Sequence, residues 1–553
     1  MCGIFAYLLK PKSEKVTDIK KWVKECHERT DTLKPRGPEK YKYAIPKNNV
    51  FMGFQRLSIV DLSPNGDQPF TDKGRNATLI CNGEIYNSKH LTTKYNLPVQ
   101  SSSDCEVILH LYLKFGLQKT VEELDGVFAF VIYDHNRKEF ACARDSYGVR
   151  PLFISITDEY IVISSELKAL YGLKNVKVFQ NGCLWLSKSE NTFTVYNYHN
   201  KERNVKYLTD GSSFTSFAHK FNSLSPDDIK HQIRKRLTTS VKKRLQSDRK
   251  IGCLLSGGLD SSLVTSLVNK LKRGSVVTYS VGLEGSVDLA AARKVASFLG
   301  TEHHEIIFSE DLGLRSINQV IYAIETWDTT TIRASIPMWL MCKYITENTP
   351  EVKVIMSGEG ADEVCQGYLY FHKQPNPTEG HKESTRLLQD LLYFDVLRSD
   401  RSVSSHGLEV RVPFLDKDFV NFYMSIPPEL RCPDKEKGEK WLLRESFSNK
   451  KLLPDEILWR RKDGLSDGCS SLKRPWYKII QEKANKLVSD EELKTAHERY
   501  PHCTPKTKEA LMFRNIFHKY FPKRDKLTPY QWMPKWCGEM IDPSGRLMDA
   551  FDQ

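Results

Sequence analysis

From residue 250 onward, short apolar runs alternate with helical stretches, whereas before residue 205 such runs follow one another with little but turns between them. In the second half "RKIGCLLS", "SVVTYSVGL", "HHEIIFS" and "EVKVIMSG" have strand length. "SSLVTSLVNKL" and "DLAAARKVASFLG" lie between the first three as helices, the latter closed by Gly300. Apolar strands separated by helices predict a doubly wound parallel α/β sheet, with ligands at the carboxyl ends of its strands. In the first half "GIFAYLL", "VFMGFQRLSIVD", "ATLICNGEIYN", "GVFAFVIYD", "EFACARD", "YIVISSE" and "GCLWLSK" are β-branched and aromatic runs bounded by Gly, Asn and Asp. That pattern predicts a strand-rich α+β domain. One of its helices is expected at "SSSDCEVILHLYLKFG", where Ser103 and Glu106 have capping-box spacing and Val107, Leu109, His110 and Leu113 share a face. The polar stretch "YLTDGSSFTSFAHKFNSLSPDD" reads as a linker. The expected organisation is a domain at 1–205, a linker at 206–230, a domain at 231–525 and a C-terminal tail at 526–553.

The strand-to-helix turn "LLSGGLDSSLV" carries Ser256, Gly257, Gly258, Asp260, Ser261 and Ser262. Adjacent glycines let backbone approach an anion, and the helix amino terminus directs free N–H groups at it, so the loop reads as a phosphate cradle. It lacks the Gly-Lys-Ser/Thr ending of a Walker A loop, so cleavage between the β and γ phosphates is not what it suggests. Asp260 would hold Mg2+, which prefers carboxylate and phosphate oxygens. An ordinary tight turn is the competing reading. A second loop, "MSGEGADEV", supplies Ser357, Gly358, Glu359, Gly360, Asp362 and Glu363 and reads as the opposite wall of the same crevice rather than a solvated acidic turn. "DTTTIRAS" adds Thr330, Thr331 and Arg333, suited to a carboxylate or phosphate, and Lys462 in "RRKDGLSDG" would neutralise phosphoryl charge unless it is simply solvated.

A formal charge of +13 raises the question of a nucleic-acid partner. The basic clusters "KKWVKE", "IRKRLTTSVKKRLQ" and "LWRRKDG" are short, broken by acidic residues and free of interleaved aromatics, so they read as solvated surface and no nucleic acid is expected. Thirteen cysteines without a C-x-x-C pair suggest neither a disulfide framework nor a cysteine zinc site, and fit a reducing, cytoplasmic setting. No apolar run approaches the roughly 20 residues of a membrane helix, so no membrane partner is expected. Cys2 stands behind the initial methionine, whose removal would leave a thiol and an α-amine on one residue. The alternative is a small buried hydrophobe opening a strand.

Taken in order, "MCGIFAYL", "RGPE", "QRLSIVD", "CNGEIYN", "LDGVFAFVIYD", "ARDSYGVRPLF", "LLSGGLDSSL", "SGEGADE", "HGLEVRVPFLD", "WLLRESF", "SDG" and "MPKW" resemble the glutamine-hydrolysing asparagine synthetases, the eukaryotic type more closely than the bacterial. The resemblance covers nearly the whole chain. It implies an N-terminal-nucleophile glutaminase domain with αββα layers, joined to an ATP pyrophosphatase domain that makes asparagine from aspartate through a β-aspartyl adenylate, releasing AMP and pyrophosphate. Cys2 would then attack the glutamine amide while its α-amine shuttles the proton, with Asn82 and the Gly83 N–H as oxyanion hole. Arg56, Leu57, Ser58, Ile59, Val60, Asn82, Gly83, Glu84 and Asp104 would bind glutamine. Arg56 would take its carboxylate, and Glu84 and Asp104 its ammonium, although Asp104 would also suit a helix amino terminus. Leu255, Ser256, Gly257, Gly258, Asp260, Ser261, Val281, Ser357 and Gly358 would line the ATP site, with Mg2+ at Asp260 and Asp362. Thr330, Thr331, Arg333 and Lys462 would hold aspartate or the intermediate, and Glu359 would take the proton of attacking ammonia. Gly464 and Leu465 depart from the family pattern beside Lys462.

A β-lactam-forming synthetase of similar architecture needs no glutaminase set, and an RNA-modifying protein would want a clustered basic face that is absent here. The expected partners are aspartate, glutamine and ATP, and the chain is compatible with a homodimer.

Overall fold

The computed structural model describes residues 1–10, 13, 18–188, 192–197, 224–273, 276–433, 436 and 438–548, with 188 and 192–197 by backbone alone. The chain divides into two compact units: Met1–Lys206 with Gln246–Arg249 and Ser404–Glu409, and Tyr207–Leu245 with Lys250–Val403 and Val410–Gln553.

The first unit contains β1 (Gly3–Leu9), β2 (Lys40–Lys47), β3 (Val50–Arg56), β4 (Phe70–Thr71), β5 (Ala77–Ile85), β6 (Gly126–Asp134), β7 (Glu139–Arg144), β8 (Phe153–Ile156), β9 (Tyr160–Ser164), β10 (Val176–Val178), β11 (Cys183–Lys188) and β12 (Thr192–Asn197). They form two six-stranded sheets, ordered β10-β8-β9-β1-β3-β2 and β12-β11-β7-β6-β5-β4. Along β6, Ala129, Val131 and Tyr133 enter a core between the sheets, which Ile4, Ala6 and Phe54 share, while Phe128, Phe130 and Ile132 enter a second core with Leu109 and Val121 of the helix Glu106–Glu123. Both faces of the strand are buried, which is why it reads as an unbroken apolar run. On the far side of the other sheet, the helix Ile19–Asp31 is capped by Asp18 and buries Trp22, Cys26 and Thr30, an i, i+4 stripe. The Trp22 ring meets Tyr7 edge-on at 5.7 Å, and burying a side chain of this size contributes about 2–3 kcal/mol. The layers are therefore helix, sheet, sheet, helix, as expected.

The Ser103–Glu106 capping box does not form. Cys105 is the N-cap and Glu106 the first helical residue. The Glu106 carboxylate instead accepts the N–H groups of Gln100 at 2.9 Å and Ser101 at 2.7 Å, organising the preceding loop. Leu113 also leaves the buried face, with 39% of its surface exposed. Most of the expected linker, residues 206–223, lies outside the described residues, and its end is helical. Ser225 and Asp228 cap the helix Pro226–Lys243 reciprocally, with Pro226 in the first turn.

In the second unit, β13 (Lys250–Leu254), β14 (Val277–Gly282), β15 (Glu302–Ile307), β16 (Val352–Met356) and β17 (Glu409–Arg411, of which Val410 and Arg411 belong to this unit) form a sheet ordered β15-β14-β13-β16-β17. β13 runs parallel to both β14 and β16, and β14 parallel to β15. The helix Leu259–Lys272 connects β13 to β14, and Val287–Leu299, ended by left-handed Gly300, connects β14 to β15. The strand order reverses between β13 and β16, which makes their carboxyl ends a topological switch point. Residues 526–548 are not a detached tail, because Trp532 and Met548 are buried in a cluster with Leu369, Tyr370, Phe371 and Phe394. All thirteen cysteines are free thiols. Among the described residues no helix is long and apolar enough to cross a membrane.

Candidate functional site

In the first unit Cys2 directly precedes β1, and its thiol lies 3.6 Å from the Leu57 carbonyl oxygen. Burial pushes that thiol up to about 11. The α-ammonium of the chain belongs to Met1, where it donates to the Leu408 carbonyl at 3.0 Å and is brought down to about 5 by burial. Cys2 nitrogen is thus a peptide nitrogen as long as Met1 is attached.

Leu57, Ser58, Ile59 and Val60 follow β3 as an irregular loop that is pinned to residues 246–249 of the same unit. Asp248 N–H donates to the Ile59 carbonyl at 3.0 Å, the Asp61 N–H donates to the Asp248 carboxylate at 2.9 Å, and Arg249 Nε donates to the Ser58 carbonyl at 2.9 Å. The Arg56 guanidinium pairs with Asp67 and donates to the carbonyls of Asp61 and Ser63. Lys40 and Lys42 reach the same Asp67 carboxylate at 2.5 and 2.8 Å. Burial alone would raise the Asp67 pKa, but the hydrogen bonds from these three cations outweigh it and leave the carboxyl below its usual range. Three cations on one carboxylate suit the approach of a second carboxylate.

On β5, Asn82 follows Ile80 by two residues and so shares the face that meets the inter-sheet core, against which Cys2 packs. Asn82 Nδ2 is buried with no hydrogen-bond partner. An orphaned buried donor of this kind costs about 1–3 kcal/mol and fits a site that a ligand oxygen completes. Gly83 lies so close to β6 that a Cβ would sit 2.7 Å from the Val127 carbonyl oxygen. Glu84 is buried beside it. Asp104 accepts the Ile85 N–H at 2.5 Å, so its carboxylate organises β5 rather than capping a helix.

In the second unit the two glycine loops meet. β13 pairs with β16, Cys253 opposite Met356, so "SGGLDS" and "SGEGADE" leave adjacent strand ends. A Cβ on Gly358 would lie 2.8 Å from the Asp260 carbonyl carbon and 2.8 Å from the Ser261 nitrogen. Gly257 takes φ +71° with its Cα against Ala291 and Ala292, a conformation and approach that only glycine tolerates. Ser256 and Ser261 bond hydroxyl to hydroxyl at 3.0 Å, fixing the turn. The pocket over this switch point is lined by Leu255, Ser256, Gly258, Asp260, Ser261, Val281, Thr330, Thr331, Ser357, Gly358, Glu359, Asp362 and Lys462, all expected from the sequence. Thr330 Oγ1 is buried without a partner. Despite the Gly464 and Leu465 departures, Lys462 Nζ pairs with Asp362, and Leu465 itself lines the pocket.

Arg333 is not brought to this pocket. Its guanidinium is 2% exposed and forked onto Glu509 at 2.8 and 2.5 Å and onto Asp542 at 2.9 and 2.7 Å, so it has no face left for a substrate carboxylate. Arg333→Met is expected to destabilise the second unit by about 3–5 kcal/mol, the cost of leaving buried carboxylates unpaired, measured by denaturant unfolding. Weakened aspartate binding at unchanged stability would return the arginine to the site.

Sequence reasoning also missed several charged groups in the pocket. Lys440, in the left-handed region at φ +56° before the helix Trp441–Phe447, pairs with both Asp260 and Asp362. Burial would raise the Asp362 pKa, yet Lys440 and Lys462 overcome it and hold the carboxyl well below its ordinary value. Glu359 is shifted the other way: burial raises it, and Arg398, bonded at 2.7 Å, only partly offsets the rise. Burial pushes Asp288 up to about 6, although Arg460 binds it at 2.8 Å. "WLLRESF" marks the neighbourhood of Lys440, but nothing in that string shows a lysine turned back onto two aspartates.

No group of three or more metal-ligand side chains occurs among the described residues. Asp260 Oδ1 is nonetheless buried without a hydrogen-bond partner. A two-carboxylate site of this kind fits Mg2+, which takes its remaining ligands from phosphate and water.

Residues 1–220 match the family model of the glutamine amidotransferase domain, and residues 232–382 and 374–542 match that of asparagine synthase. Three relatives are named asparagine synthetase (glutamine-hydrolyzing). The Cricetulus griseus protein is 44% identical over 538 residues, covering 93% of this chain and 94% of its own. The Mus musculus protein is 43% identical over 540 residues, and the Homo sapiens protein 43% over 538, each with the same coverage. With both halves of the chain matched by family models and relatives matched over 93% of its length, the chain belongs to the glutamine-hydrolysing asparagine synthetase family.

Proposed function

We propose that this chain makes asparagine from aspartate with ATP, drawing its nitrogen from the side-chain amide of glutamine. The observation that carries the reading is the convergence of Asp260, Asp362, Lys440, Lys462 and Glu359 where two glycine loops leave adjacent strands. A β-lactam-forming synthetase is not favoured, because residues 1–220 match the glutamine amidotransferase model and the relatives matched over 93% of the chain are glutamine-hydrolysing asparagine synthetases.

In the first unit, removal of Met1 exposes the α-amine of Cys2, which takes the thiol proton. The thiolate is the attacking species, and the adjacent amine is the internal base that generates it for attack on the amide carbon. The tetrahedral oxyanion meets Asn82 Nδ2 and the Gly83 N–H, ammonia leaves, and water releases glutamate from the thioester. Arg56 binds the glutamine carboxylate, the Leu57–Val60 loop flanks it, and Glu84 with Asp104 receives its ammonium.

In the second unit the aspartate side-chain carboxylate attacks the α-phosphorus of ATP and pyrophosphate departs. Activation of this kind is required, since a carboxylate oxygen is not a leaving group until it is phosphorylated, and a loop without the Walker A ending favours the α-phosphorus. Ser256, Gly258, Ser261, Ser357 and Gly358 present the cradle for the phosphates, Gly257 makes its turn, and Leu255 and Val281 flank the nucleotide. Lys440 and Lys462 offset the charge of the departing pyrophosphate. Asp260 and Asp362 would hold Mg2+, which would supply further charge neutralisation on the phosphates. Thr330 and Thr331 orient the aspartate. Ammonia then attacks the adenylate and Glu359 takes its proton; a carboxyl raised by burial is the better base for that step. Thirteen free thiols suit a reducing, cytoplasmic setting.

The test is to supply aspartate, ATP, Mg2+ and ammonia and to identify the nucleotide products. AMP with pyrophosphate is expected; ADP with phosphate would refute the adenylation chemistry.

A further inference from the structure

The carboxyl-terminal segment of the second unit runs over the synthetase pocket as a strap. Trp532, Pro543, Gly545 and Met548 all line that pocket together with Thr330, Thr331, Glu359 and Arg398. Trp532 and Met548 are 6% and 5% exposed, and they pack into the aromatic cluster of Tyr370, Phe371 and Phe394. The Trp532 ring lies 5.4 Å from that of Tyr368, whose hydroxyl donates to Glu363 at 2.6 Å.

Polar latches hold the strap at several points. The Trp532 N–H donates to Asp328 Oδ1 at 2.7 Å, while the other oxygen of Asp328 takes the Thr331 N–H and hydroxyl at 2.9 and 2.7 Å. One carboxylate thus ties the strap to the helix that carries the two threonines. Asp542 pairs with Arg333, Ser544 Oγ donates to Asp467 at 2.8 Å, and the Gly545 N–H reaches the same carboxylate at 3.1 Å. Arg546 does not line the pocket. It binds Asp463 at 2.8 Å and the Ser471 carbonyl at 3.1 Å, and so fixes the turn that places Gly545 and Met548.

Carboxylates that latch the strap along its length, and an apolar indole and thioether at the pocket, make a wall against water. An acyl adenylate is open to water as well as to ammonia. Attack by water breaks the acyl–phosphate bond and returns aspartate and AMP, so ATP and water are converted to AMP and pyrophosphate with no asparagine formed. We propose that Trp532 and Met548 form the water-excluding wall of the synthetase pocket, with Arg546 as a positioning residue, and that the strap sets how much ATP is spent per asparagine. This rests on the adenylating activity proposed above.

The experiment compares the full chain with Trp532→Ala, Met548→Ala and Arg546→Ala, under saturating ammonia, aspartate and ATP with Mg2+, reading pyrophosphate and asparagine together. Ammonia as nitrogen source removes the first unit from the measurement, and thermal unfolding reports folding. In the wild type the two products should appear in equal amounts. In the variants the pyrophosphate-to-asparagine ratio should rise about threefold or more as water gains access, most in Trp532→Ala. Should that variant fail to fold, Met548→Ala, a smaller excision from the same wall, gives the reading. A ratio unchanged from wild type in the folded variants, even with lower rates, overturns the proposal, since a merely structural strap would slow both products in step. A wild-type chain that released no pyrophosphate with aspartate would contradict the activity itself, so the two failures are told apart.

Discussion

Cys2→Ala is expected to lower asparagine formation from glutamine by about 10³-fold or more, the scale seen when a nucleophile is removed, while leaving formation from ammonia unchanged. The thiol is needed only to release nitrogen, and it sits in a different compact unit from the Asp260–Asp362 crevice. A preparation that retains Met1 or a tag ahead of Cys2 should behave the same way for a different reason, because Cys2 nitrogen then stays a peptide nitrogen and the buried thiol has no internal base. Assaying both nitrogen sources on one folded preparation checks this. A parallel loss of both activities would place Cys2 in the synthesis step and break the assignment.

Glu359→Gln should reduce synthesis with either nitrogen source by about 10²-fold or more, the usual contribution of a general base, and should leave glutamine hydrolysis intact. The substitution keeps the shape of the side chain, and Arg398 retains Asp395 at 3.0 Å as a charged partner, so the fold should hold. Synthesis and glutaminase rates measured side by side decide it. Unimpaired synthesis removes Glu359 from the mechanism.

The parallel sheet was legible because β13, β14 and β15 alternate with single helices at regular spacing, with glycine marking the turns of the two pocket loops. The buried strands of the first unit, β1 and β6 above all, were legible as apolar runs. β2 was not, since "KYKYAIPK" is an edge strand whose residues are largely exposed, and lysines there protect the edge rather than fill a core. Glu106 misled for a related reason: capping-box spacing is local, whereas its carboxylate is claimed by a loop that precedes it. The glycine loops and Lys462 carried enough local pattern to be singled out, and they line one pocket. Arg333 did not, because Glu509 and Asp542 lie 176 and 209 residues away in sequence. Lys440 and Trp532 stand just ahead of the "WLLRESF" and "MPKW" strings and Arg398 outside any, and nothing local shows that their side chains reach the pocket, so only the folded chain displays them.

On this reading one chain takes nitrogen from glutamine and spends ATP to place it on aspartate. The most direct test supplies glutamine labelled with heavy nitrogen in the side-chain amide, together with aspartate, ATP and Mg2+, and reads asparagine by mass spectrometry beside the nucleotide products. The account predicts asparagine labelled in its amide, accompanied by AMP and pyrophosphate. Glutamate accumulating without labelled asparagine would contradict it.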